Sequence, residues 1–169
     1  GVDGLQDGLI EAHCRAAIAA IEARIGKVLL TRNFKLTLPA WRSLSAQPLP
    51  LAPAVAVTKV SVFDIMGVEM VLDGARYGLQ RDTHRPKLVS VGMLFPNVPS
   101  DGRIEILFSA GFGAAWADVP ADLRQAVMLL AAQYYETRHD AGQGYGLPMA
   151  VQSLIERYRN IRVLGGGSK

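Results

Sequence analysis

Three histidines and one cysteine are the side chains of this 169-residue chain best suited to hold a metal or attack an electrophile, and their spacing argues against both uses. His13, His84 and His139 lie far apart in sequence. On a helix His13 points about 100° away from the adjacent Cys14, so no shared tetrahedral geometry emerges. Cys14 falls on an apolar stripe between Ile10 and Ile18. There a small buried thiol is expected rather than a reactive nucleophile. Gly111-Phe112-Gly113 follows a predicted strand, as a dinucleotide fingerprint would, but Trp116 stands in place of the third glycine. The next helix also begins too late to cradle a pyrophosphate. Gly142-Gln143-Gly144-Tyr145-Gly146 comes after a helix and lacks the lysine and hydroxyl of a phosphate loop, so it reads as a connection. Asp64, Glu69 and Asp73 cluster near predicted turns, where they serve turn chemistry more readily than they form a general acid and base. The sequence therefore predicts no catalytic, cofactor-binding or metal site, no cofactor and no enzyme activity.

The elements that would position these residues are legible from periodicity. Ile10, Cys14, Ile18, Ile21 and Ile25 keep one stripe on a helix over Asp7 to Ile25, which Gly26 closes and Lys27 follows at the negative end of its dipole. Val28 to Leu38 alternates like a strand, and Pro39, Pro48, Pro50 and Pro53 then impose an extended loop. Ala54 to Phe63, a turn at Asp64 to Gly67 and Val68 to Leu72 form a predicted hairpin. Short strands are expected at Tyr77 to Gln80, Lys87 to Val91 and Arg103 to Phe108. Asp118 and Pro120 start a second helix that runs to about Arg138 with Leu123, Val127, Leu130 and Tyr134 on one face. His139 to Leu147 is a glycine-rich loop, and Pro148 starts a third helix with Val151, Leu154, Ile155 and Tyr158 inward. The expectation is an α+β fold: a small helical bundle of the N-terminal helix and two C-terminal helices, with a central β-rich insertion. A single domain should span 1–164, with its helical core at 1–27 and 118–164 and a β-rich subdomain at 28–113. Residues 165–169 read as a flexible tail or a leftover of cloning.

Half the residues are apolar and a fifth charged, the balance of a folded globular chain. Apolar runs such as Ala126 to Ala132 fall far short of the roughly 20 residues that cross a bilayer, and no signal-peptide pattern is expected at the start. A lone cysteine makes the fold independent of an oxidising compartment and fits assembly in the cytoplasm. The net charge of +3 divides as +2 over 1–46, −1 over 47–119 and +2 over 120–169, too mixed for a dedicated nucleic-acid face. DNA contact is expected to be weak and nonspecific. A helix-turn-helix reader built from the second and third helices, with Arg157, Arg159 and Arg162 near phosphates, is one alternative. Its loop of about nine residues is longer than the three or four such a motif uses. A small ligand- or nucleotide-handling enzyme is the other.

The order of segments resembles the head-tail connector, or neck adaptor, family of tailed bacteriophages and phage-derived gene transfer agents. The resemblance is carried by Ile21 to Lys27, by Leu49-Pro50-Leu51-Ala52-Pro53 ahead of Val60 to Gly67, and by Ile104 to Gly113 ahead of Val119-Pro120, Leu123 and Ala126. It continues through Ala131 to Arg138, Leu147-Pro148, Leu154 and Tyr158-Arg159. It implies a non-enzymatic, twelve-subunit ring in the neck of a virion or gene transfer agent particle, assembled in the bacterial cytoplasm. Such a ring joins the portal protein to the next neck or tail-completion component, and DNA passes transiently through its channel without sequence-specific contact. No membrane partner is implied. A segment of arginines among apolar residues, Arg157, Tyr158, Arg159, Ile161, Arg162, Val163 and Leu164, is the expected portal interface, since that mixture is enriched at interface hot spots; the alternative is a terminal helix turn packed on its own subunit.

Overall fold

The computed structural model describes residues 2 to 138 and 146 to 159, in two compact units. Residues 1–26 and 120–169 contribute to a helical unit, and residues 27–119 form a β unit.

The helical unit contains α1 (Val2–Ile25), α2 (Ala121–Glu136) and α3 (Met149–Ile155), which a single 3-10 turn, Glu156–Tyr158, extends. Both α1 and α3 pack on α2. Ala17, Ile21 and Ile25 of α1 and Leu123, Ala126, Val127 and Leu130 of α2 are buried, as are Val151 and Ile155 of α3. Each of the Val, Leu and Ile side chains among them contributes roughly 1.5–3 kcal/mol of burial. Gly26 closes α1 at φ +68°, its N–H donating to Glu22 O at 2.9 Å. α1 begins five residues before the predicted Asp7. That first stretch is exposed on all sides and so carries no apolar period that could announce it. The same exposure reaches Ile10, and Cys14 is half-buried rather than a core thiol.

The β unit holds two antiparallel sheets. One has the order β1-β7-β3-β4, made of β1 (Arg32–Leu38), β3 (Ala54–Phe63), β4 (Glu69–Val71) and β7 (Arg103–Ala110). The other has the order β2-β6-β5, made of β2 (Ala46–Pro48), β5 (Tyr77–Gln80) and β6 (Lys87–Ser90). Strict alternation along β7 sends Ile104, Ile106, Phe108 and Ala110 into a core shared with Val60, Val62 and Leu88, and Phe34 stacks on Phe108 at 5.7 Å. The strand expected over Val28 to Leu38 starts only at Arg32. Before it, Val28 and Leu29 are buried and the chain makes only single bridges, Lys27 with Ala52 and Leu30 with Gly113. Inside the predicted extended loop lies β2, an edge strand where Pro48 needs no ladder donor. Its Gln47 is buried with Oε1 accepting from Arg42 N at 2.7 Å.

Candidate functional site

Of the carboxylates weighed for chemistry, Asp64 and Asp73 hold turns and Glu69 is tied to β3. Asp64 Oδ1 accepts from Val68 N at 2.9 Å, Asp73 Oδ1 from Ala75 N at 2.8 Å, and Glu69 Oε1 receives Ser61 Oγ at 2.7 Å and Lys59 Nζ at 2.6 Å. The hydrogen bonds from Lys59 and Ser61 hold the Glu69 carboxyl below its ordinary range. No group of three His, Cys, Asp or Glu side chains among the described residues could hold a metal ion. No helix among them is long and apolar enough to cross a membrane. His139 and the loop at 139–145 lie outside the described residues.

Sequence reasoning missed the burial of Lys27, which it placed only at the negative end of the α1 dipole. Lys27 is buried to 1 % exposure, with Nζ 2.9 Å from His84 Nδ1. Burial pushes its ammonium below the ordinary lysine value, and Asp82 opposes that shift. Asp82 Oδ1 meanwhile accepts from the N–H groups of His84 and Arg85, each at 2.8 Å, and those bonds depress its carboxyl. The cluster ties the loop after β5 to the start of the unit. Its lysine is too enclosed to meet a substrate. The adjoining apolar run Val28-Leu29-Leu30 was the available signal.

At the expected interface segment, the structure separates residues that the sequence grouped. Tyr158 is buried, and its hydroxyl donates to Asp122 Oδ1 at 2.7 Å. The Arg157 guanidinium donates to that hydroxyl at 2.6 Å and reaches Asp122 Oδ2 at 2.7 Å while remaining 70 % exposed. Burial, and then the Asp122 carboxylate, hold the Tyr158 phenol above its ordinary value. Asp122 stands in the first turn of α2, where the helix dipole also favours its charge. This clamp fastens the turn that follows α3 to the first turn of α2. Arg159, the next residue, is extended and exposed, and it lines a polar depression of about 140 Å³ with Arg24, Gln152, Ser153 and Glu156. Ile161, Arg162, Val163 and Leu164 lie outside the described residues.

Two apolar features stand out among the described residues. In the helical unit a groove of about 320 Å³ is floored by Ile10, Cys14, Met128, Ala131 and Ala132 and edged by Gln6, His13, Tyr135 and Glu136. In the β unit the turn between β3 and β4 exposes Ile65, Met66 and Val68. Exposed apolar patches of this kind mark interaction surfaces.

No protein-family model matches the chain, and no curated protein does. Solved structures do. A chain of the neck of an empty gene transfer agent particle, computed with C6 symmetry, is 49% identical. Its TM-score is 0.86, over 96% of this chain and 83% of that one. A chain of the neck of a native particle, computed with C12 symmetry, is 48% identical, with a TM-score of 0.84 over 98% of this chain and 91% of that one. A third, from the virion of a native gene transfer agent particle, is 49% identical with a TM-score of 0.85, over 95% and 81% of the two chains. The chain belongs to the family of neck proteins of gene transfer agent particles. The role of that family is structural and not enzymatic.

Proposed function

We propose that this protein is the adaptor subunit of a gene transfer agent neck, forming a ring between the portal protein and the next neck or tail component and leaving a channel for DNA. The observation that carries the reading is the near full-length match, at 48% identity, to a chain from a neck of C12 symmetry, a symmetry that accommodates twelve copies. A ring also suits a chain with mixed charge. DNA moving through the channel calls for no concentrated basic face, which would retard it.

Within this reading the segment from Arg157 to Leu164 docks on the portal. The Asp122 clamp holds Arg157 and Tyr158 at its root, Arg159 follows exposed, and Ile161, Arg162, Val163 and Leu164 supply apolar burial and a further cation for portal carboxylates. Arg24, beside Arg159 in the same depression, adds a cation that the sequence did not single out. Weak single contacts suffice, because many subunits engage one template together. Deleting Ile161 to Lys169 is expected to leave the melting temperature of the purified chain nearly unchanged and to yield DNA-filled heads without attached tails. Normal tailed particles carrying the truncated chain would reject portal docking by this segment.

A further inference from the structure

A cyclic ring joins its copies head to tail, so every copy must present two different surfaces, each complementary to the other. The β unit offers a convex one. Between Asp64 and Val71 five large apolar side chains stand out in seven consecutive positions, with Ile65 68 % and Met66 83 % exposed at the tip. The turn beneath them is rigid. Asp64 N donates to Val68 O at 3.2 Å, Gly67 N to Asp64 O at 3.0 Å, and Gly67 takes a φ of +81° that a side chain would resist. The main chain of this tip therefore has little ordering entropy left to lose when it meets a partner. Charges at its base are already engaged, Glu69 by Lys59 and Ser61, and Arg103 over the Phe63 ring at 4.1 Å.

The helical unit offers a concave surface. The floor of its groove is apolar, Ala131 and Ala132 leave the space open, and the flexible thioether of Met128, 58 % exposed, can repack around an entering side chain. Polar groups at the edge already meet one another in part, Gln6 Nε2 donating to Tyr135 Oη at 3.1 Å. Neither surface carries the cations that phosphate would need, so nucleic acid fits neither. Two apolar surfaces of opposite curvature on one chain match what a head-to-tail contact between identical copies demands.

From this we infer that the Ile65-Met66 tip of one copy seats in the α1/α2 groove of the next copy around the ring. The inference rests on the ring reading above and names the contact that closes it.

The chain's single cysteine supplies the test, because Cys14 lines the groove. Particles assembled with Met66→Cys and treated with a short bis-maleimide should give a ladder of cross-linked dimers, trimers and higher species on a denaturing gel. Adding Cys14→Ala should erase it. Particles with intact necks and only monomer bands would overturn the contact while leaving the ring reading standing. Particles in which the chain forms no ring at all would sink both. As a second arm, Met66→Asp, at a site too exposed to affect folding, should lower incorporation into particles at least tenfold with an unchanged melting temperature. Normal incorporation would overturn the proposal.

Discussion

Replacing Gly111 with alanine is expected to destabilise the β unit by about 3 kcal/mol or more, a large share of the 5–15 kcal/mol that holds a typical domain together. Gly111 follows β7 with a φ of +143°, a region that residues with a Cβ rarely enter, at a cost of about 1–3 kcal/mol. An added Cβ would also meet the Thr31 backbone at 2.4 Å, so two chain segments must part. Their separation strains the bonds that lock this corner: Gly111 N to Pro53 O at 2.9 Å, Thr31 N to Gly113 O at 2.9 Å and Phe112 N to Leu29 O at 3.0 Å. Each is worth about 1 kcal/mol. Urea unfolding followed by tryptophan fluorescence would show the loss as a lower midpoint, since Trp41 and Trp116 both lie in this unit. Gly74→Ala is the control. With nothing within 4 Å of its added Cβ and no positive φ, it should stay within about 0.5 kcal/mol of the parent. Equal midpoints for the two variants would contradict this account of the corner.

The second large effect is expected at the clamp. Asp122→Ala leaves the buried Tyr158 hydroxyl without its acceptor, which costs about 1–3 kcal/mol. The exposed Arg157 contact adds little to that. The clamp also has a pH signature. Because the folded state raises the Tyr158 phenol above its ordinary value near 10, the folded chain holds this proton more tightly than the unfolded chain. The resulting stabilisation is fully present below about pH 10 and is lost as pH rises through the raised folded value. Melting temperatures measured from pH 8 to pH 11 should therefore fall more steeply for the parent than for Tyr158→Phe. Parallel curves would show that the phenol proton does not contribute.

The helical stripe at Ile18, Ile21 and Ile25, the hairpin turn at Asp64 to Gly67 and the alternation along β7 were all legible, because each couples burial to a fixed period. What escaped had no period. The exposed first turns of α1 bury nothing, and the three-residue β2 is too short to alternate and sits among prolines. Lys27 belongs by residue type on the surface, and only its tertiary neighbours His84 and Asp82 explain its burial. Tyr158 lies on the inner face of the third helix by periodicity, and its bond to Asp122, 36 residues away, has no signal in the sequence. The groove escaped too. Cys14 and Ile10 continue the buried stripe in sequence, yet the small residues Ala131 and Ala132 opposite them leave the space unfilled.

The most direct measurement of the central claim is an electron-microscopy map of the parent particle with this chain placed in it. The account predicts a closed ring of this chain in the neck, in contact with the portal on one side and with the next neck or tail component on the other, around an open axial channel. Finding the chain in the capsid shell or the distal tail, or as isolated copies that do not encircle the channel, would contradict it.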